Sequence, residues 1–141
     1  ASEIFSELTL GSLSGLKEDY NDKGEQILVA SRPDGTLLNA AALSEGTRDQ
    51  LYLSLRLASL ENYLIHHEAI PFIADDLLVN FDNERAVATI KILQSLSNRT
   101  QVIFFTHHAH ILELIKTRLD ESGIYIHRLA DASIQLSVAT A

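Results

Sequence analysis

Two short apolar runs, Ile70-Pro71-Phe72-Ile73-Ala74 and Gln101 to Phe105, stop abruptly on polar residues, Asp75-Asp76 in the first and Thr106-His107-His108 in the second. A run bounded in this way is what a strand buried on both faces presents, and such strands belong to parallel sheets flanked by helices. Helical patterns separate and follow them. Ala86, Ile90 and Leu93 carry one, with Asp82 or Asn83 as its cap. Leu112, Ile115 and Leu119 mark the inward side of another, from about Ala109 to Leu119, which Gly123 is expected to end. Ile124-Tyr125-Ile126 and Ile134 to Val138 read as closing strands. Strand, helix, strand, helix, strand over about 60 residues dictates right-handed crossovers and a parallel sheet. In open α/β sheets the carboxyl edge of the strands is where ligands bind.

Upstream the pattern is different. Asn21-Asp22-Lys23-Gly24 and Arg32-Pro33-Asp34-Gly35 are turn signals, with Gln26 to Ala30 and Thr36 to Leu38 as short apolar or β-branched segments beside them. They predict an antiparallel meander. From Glu45 the period becomes helical, because Leu53, Leu57, Leu60 and Leu64 recur at spacings of four, three and four, and the helix is expected to end near His67. The expected fold class is therefore α/β, an antiparallel meander followed by a βαβ parallel sheet with flanking helices, in a single domain over residues 1–141.

Composition narrows the function classes. The chain has 141 residues and a formal charge of −8, which argues against this surface alone clamping nucleic acid. Zero cysteines exclude a disulfide scaffold, a thiolate zinc site and a cysteine nucleophile. No apolar run approaches the roughly 20 residues of a membrane span, and no basic segment precedes an apolar run at the N-terminus, so a cytoplasmic location without membrane partners is the default. Methionine is absent even at position 1. Together with the amphiphilic start Ala1 to Leu10, this leads us to expect a piece of a longer product, residues 1–10 being a candidate coiled-coil stub.

Three clusters carry chemistry. Asp75 and Asp76 are adjacent carboxylates at a strand end, an expensive arrangement unless a cation or proton offsets their repulsion. Neighbouring strand residues point to opposite faces, so one should reach a bound cation, most simply Mg²⁺, while the other leans toward the cleft. The plainer alternative is that both cap the following turn. His107 ends the next strand and comes close to the pair if the strands are neighbours, where an imidazole suits a phosphate or an attacking water. A rival is a zinc or di-metal site built from His107, His108 and His110 with an Asp. His66-His67 at a helix end and His127 on a strand read as structural and surface residues. Ser44 and Gly46 open the long helix, where unpaired N–H groups and the positive end of the dipole make an anion site, although an ordinary capped helix start would look the same.

Taken in order, LSEGTRDQ from Leu43, PFIADD from Pro71, VNFD from Val79 and FFTHH from Phe104 resemble the C-terminal half of a P-loop ABC-type ATPase head. The resemblance is to SMC proteins and the coiled-coil DNA-repair ATPases, in particular YhaN-like bacterial proteins, and runs from about Leu43 to Arg128. It implies that Ser44 and Gly46 form the signature motif touching the γ-phosphate of ATP held mainly by a second head. It likewise implies that Asp75 is the Walker B carboxylate on Mg²⁺, Asp76 the residue that polarises attacking water, Asp82 the D-loop aspartate and His107 the switch histidine. The partners implied are the N-terminal lobe of the same protein, a second head in an ATP-held homodimer, DNA for the full-length protein, and a nuclease as an open question.

Two departures stand out. LSEG replaces the usual LSGG, so Glu45 must point away from the phosphate or be offset, with Arg48 as the candidate. Asp76 replaces the usual Glu, a loss of about 1 Å of reach, and a misplacement of that size can cost about 10²-fold in rate. No GxxxxGK[ST] occurs in the chain, so the Walker A loop is expected on the N-terminal lobe and this piece alone is expected to be no ATPase. A metal-dependent phosphohydrolase using Asp75, Asp76 and His107 is the alternative enzyme, and a non-catalytic interaction module the alternative outside enzymes.

Overall fold

A computed structural model describes residues 1–120 and 122–129. The chain opens with helix α1 (Ser2–Leu8), followed by strands β1 (Gly15–Tyr20), β2 (Gln26–Ser31) and β3 (Leu37–Asn39). These form an antiparallel sheet in the order β1-β2-β3, with Gly15 opposite Ser31 and Val29 opposite Asn39. The turns are made by their own residues. Asn21 Oδ1 accepts the N–H groups of Lys23 and Glu25, each at 2.9 Å, and Asp34 Oδ1 accepts that of Thr36 at 2.9 Å. Gly24 and Gly35 sit at φ of 75° and 87°, a conformation in which a Cβ is penalised. The segment expected as a coil stub packs inward as α1, with Phe5 and Leu8 fully buried.

Helix α2 (Glu45–His66) runs 22 residues and presents Leu53, Leu57 and Leu60 to the main core, with Leu64 partly buried beside them. Strand β4 (Phe72–Asp75), helix α3 (Asn83–Leu96), strand β5 (Val102–Phe105) and helix α4 (Ala109–Arg118) complete the regular structure. β4 and β5 are parallel, in the register Phe72 with Val102 through Asp75 with Phe105. Asp82 caps α3 by accepting the Arg85 N–H at 2.9 Å, which decides between the two expected caps, and Asn83 is the first helical residue.

Several expectations need correction. The parallel strands are covered on one face only. Phe72, Ala74, Val102 and Phe104 pack against leucines of α1, α2 and α3, while Ile73 is 55% and Phe105 44% exposed on the other face. The face that carries Phe72, Ala74, Val102 and Phe104 takes the helix leucines and the other stays largely open, so an unbroken apolar run does not here mean a doubly buried strand. α4 buries Ile111 and Ile115 rather than Leu112, and it ends at Arg118 with Leu119 as its cap, so Gly123 does not end it. Ile124-Tyr125-Ile126 is not a strand. Ile124 packs against the cluster of Leu78, Ala86, Ile90, Ile111 and Ile115, and Tyr125 faces solvent. The expected strand from Ile134 to Val138 lies outside the described residues. No helix among the described residues is long and apolar enough to cross a membrane.

Candidate functional site

The carboxyl ends of β4 and β5 lie side by side, and the polar residues that stopped both apolar runs meet there. Asp76 N–H donates to the Phe105 carbonyl at 3.0 Å, continuing the ladder one residue past β4. The chain then turns at Asp76 with φ of 44°, in the left-handed region that non-glycine residues enter at a cost, aspartate less than most. The turn carries its carboxylate across to β5. Asp76 Oδ2 lies 2.7 Å from His107 Nδ1, and Oδ1 accepts the His107 backbone N–H at 3.4 Å. An ionised carboxylate can only accept, which assigns a ring proton to Nδ1, and in the neutral ring Nε2 is then the free acceptor. Partial desolvation pushes the Asp76 carboxyl up. The hydrogen bonds from His107 and the charges of His107 and His108 outweigh it and hold the group below its ordinary value.

Asp75 belongs to the exposed face of β4, as alternation along the strand requires, while Asp76 lies in the turn beyond the strand and reaches His107. No hydrogen bond among the described residues engages its side chain, which leaves an oxygen donor suited to a hard cation held through water, as Mg²⁺ is. His108 stacks obliquely on His107 with ring centroids 4.0 Å apart, its N–H donates to Thr106 Oγ1 at 3.1 Å, and His110 meets His108 edge-on at 5.6 Å. His67 stacks on Tyr63 at 4.4 Å and His127 is exposed, so the remaining predicted histidines take no part.

Ser44 caps α2, its Oγ accepting the Thr47 N–H at 3.3 Å and lying 2.8 Å from Thr47 Oγ1. Gly46 has a role that spacing did not reveal. A Cβ there would stand 2.5 Å from the carbonyl oxygen of Asn80, so glycine is what lets the loop after β4 lie directly on the first turn of α2. Asn80 Nδ2 donates to Asp49 Oδ2 at 2.8 Å and ties the same two segments. Asn80 and Asp49 both fall inside the quoted motifs, yet nothing in the order of residues marks them as partners 31 positions apart. Glu45 is exposed, and no ion pair joins it to Arg48 among the described residues, so solvent rather than Arg48 offsets its charge.

The structure thus unites Asp76 with His107, sets Asp75 on the adjoining face, and latches Gly46 to the loop that runs on to Asp82. It forms no hydrogen bond between Ser44 and any of Asp75, Asp76 or His107 among the described residues. A carboxylate-oriented imidazole beside a free carboxylate can position a water and move a proton, which fits phosphoryl transfer as well as hydrolysis in general.

No family model matches the chain. It is 36% identical over 112 residues to the uncharacterized protein YhaN of Bacillus subtilis (strain 168), a match covering 79% of this chain and 11% of that protein. It is 30% identical over 115 residues to the DNA repair protein RecN of Helicobacter pylori (strain ATCC 700392 / 26695), covering 80% of this chain and 21% of that protein. The chain therefore spans only about a tenth and a fifth of the curated relatives it matches. A solved structure concerned with ATP-driven dimerization and DNA stimulated activation of SMC ATPases superposes with a TM-score of 0.63 at 17% identity, covering 80% of this chain and 68% of that one. The fold is the one found in SMC ATPase head domains.

Proposed function

From a fold shared with SMC ATPase heads, we propose that this chain is the C-terminal lobe of an ATP-binding and hydrolysing head, acting in DNA repair or chromosome maintenance. The observation that carries the proposal is the 2.7 Å contact of Asp76 with His107 across the carboxyl ends of two parallel strands. It joins the second and fourth of the ordered motifs in one place. The open face of Ile73, Asp75 and Phe105 is where the N-terminal lobe would pack, since an apolar surface beside a half-built polar site calls for a covering segment.

In this reading Asp75 would hold Mg²⁺ through water, and Asp76 with His107 would orient the attacking water and accept its proton. Bound ATP with Mg²⁺ supplies the phosphoryl group and the charge that these residues address. Ser44 at the α2 N-terminus would meet the γ-phosphate held by a second head, with backbone N–H groups and the helix dipole favouring the anion. Gly46, through Asn80, would keep that serine in register with the loop ending at Asp82. Asp76 in place of Glu has a shorter arm and is already engaged by His107, so slow hydrolysis is expected, suited to a switch that brings heads together and releases them.

Co-expression of this chain with its upstream lobe tests the proposal. The rejoined head is expected to hydrolyse ATP, Asp76→Asn to abolish turnover while retaining an ATP-held dimer, and Ser44→Arg to block dimerisation while sparing nucleotide binding. Dimerisation of Ser44→Arg heads on ATP would remove the signature role. Robust hydrolysis of a phosphodiester by the isolated chain with Mn²⁺ or Zn²⁺ would overturn the proposal in favour of a metal-dependent phosphohydrolase. A rejoined pair with no ATPase activity would favour an interaction module.

A further inference from the structure

The proposed function leaves His108 unused, although it is the best-placed neighbour of the Asp76–His107 pair. Its Nε2 is buried and has no hydrogen-bond partner, which for an imidazole nitrogen is a cost that needs a compensating ligand. One ligand atom each from Asp76, His107 and His108 lies within 4.8 Å of the other two. We propose that these three side chains form a binding site for one transition-metal ion of the zinc class, distinct in chemistry from the Mg²⁺ carboxylate Asp75.

Two imidazoles and one carboxylate favour borderline cations such as Zn²⁺ or Co²⁺ over Mg²⁺, which prefers all-oxygen shells and keeps its water. Tetrahedral bonds of about 2.0–2.2 Å put ligand atoms roughly 3.4 Å apart, so Asp76 Oδ2 and His107 Nδ1, now at 2.7 Å, must part slightly to admit the ion while the His108 nitrogen, within 4.8 Å of both, draws in. The backbone frame already suits this. Asp76 N–H is held by the Phe105 carbonyl and His108 N–H by Thr106 Oγ1, so the backbone that carries two of the ligands is fixed on both strands. The Asp76–His107 hydrogen bond is then replaced by two bonds to the ion, and the proton on His107 Nδ1 moves to Nε2, so the ligand is a neutral imidazole. Water takes the fourth position.

The site has a consequence that rests on the ATPase reading. The Asp76 carboxylate and the His107 ring are the groups assigned to the attacking water, so an ion bound there withdraws both. Metal occupancy and hydrolysis exclude one another, which makes the cluster an inhibitory site.

Titration of the 141-residue chain with Zn²⁺ by calorimetry, and with Co²⁺ by its visible absorption, tests the binding directly in a large excess of Mg²⁺. One equivalent is expected to bind. Asp76→Asn, His107→Gln and His108→Gln should each weaken uptake by about tenfold or more, while His66→Ala/His67→Ala, which removes the other adjacent histidine pair, should not. Circular dichroism of each variant checks that it folds, and His108→Asn replaces any glutamine variant that does not. Uptake unchanged in the His107→Gln/His108→Gln chain, or lost in the His66→Ala/His67→Ala chain, would overturn the proposal. In the rejoined head, Zn²⁺ should inhibit ATPase at least tenfold more strongly in the wild type than in His108→Gln. Specific uptake by the chain alongside a rejoined head that lacks ATPase activity would sink the ATPase reading and leave the metal site standing.

Discussion

The meander and the parallel pair of strands are built to different standards of completion. In the first, β2 is paired on both edges, the turns are satisfied by Asn21 and Asp34, and one face closes over Phe5, Leu13, Ala30, Leu43 and Leu51. In the second, β4 and β5 pair only with each other among the described residues, one face is packed and the other shows Ile73, Asp75 and Phe105 to solvent. Non-glycine residues at positive φ occur in both regions among the described residues, Leu10 at 55° ahead of β1 and Asp76 at 44° beyond β4, but only Asp76 lies beside a polar cluster. One region closes over its own core, and the other leaves apolar surface open to something outside it. Strain that persists beside a polar cluster marks a functional site more often than a defect.

The largest expected effect tests that contrast directly. Phe5→Ala, in the finished region, should cost about 3–5 kcal/mol of stability in urea unfolding, because a fully buried aromatic leaves a cavity that its neighbours cannot fill. Ile73→Ala, on the open face, should cost less than about 1 kcal/mol in the same chain. Equal losses would mean that the face of β4 is covered after all, and the comparison would fail. Ile73→Ala should nevertheless weaken pairing with the upstream lobe in a pull-down, where the proposed function gives that face its partner.

A smaller effect probes the latch between α2 and the loop after β4. Gly46→Ala forces a methyl group into the Asn80 carbonyl, and overpacking of this kind costs about 1–3 kcal/mol. Removal of the Asn80 side chain does not relieve the clash, since the obstacle is backbone. A thermal unfolding midpoint equal to the wild type for Gly46→Ala would show that the two segments separate freely, and with them the signature and D-loop motifs.

The smallest effect concerns Asp76 and pH. Its folded carboxyl titrates below the ordinary aspartate value near 3.9, so its contribution to stability is present above that value and is lost as pH falls through the folded one. Asp76→Asn retains tolerance of the left-handed backbone but forfeits this contribution. The gap between wild-type and Asp76→Asn urea midpoints is therefore expected to be open from pH 5 to 7 and to close below about pH 4. A gap that stays constant across this range would mean that the His107 contact does not favour the ionised carboxylate.

Much of this was legible in the sequence because it is governed by local chemistry. The turn residues set the meander, the leucine spacing set α2, and Asp82 before an apolar period announced the cap of α3. The abrupt ends of the two apolar runs were enough to expect His107 near Asp75 and Asp76 if the strands were neighbours, and the pairing of β4 with β5 met that condition and chose Asp76. Less legible were features that depend on what covers what. The run from Ile70 to Ala74 looked doubly buried because hydrophobicity records a preference for burial and not the identity of the covering element. Gly123 looked like a helix terminus because its freedom at positive φ is useful anywhere in a loop, whereas the end of α4 was decided at Leu119, where the chain turns away.

The sequence by itself determined the periods, the turns, the caps and the residue types available for chemistry, because each of these is settled within a few neighbours by sterics and hydrogen bonding. Only the tertiary structure decided that Gly46 makes room for Asn80, that Asp76 bends backward to hold His107, and that His108 Nε2 is buried without a partner. Those outcomes join residues about 30 positions apart, and they follow from the register of β4 on β5 and the seating of a loop on α2, quantities that side-chain packing sets and that no local pattern encodes.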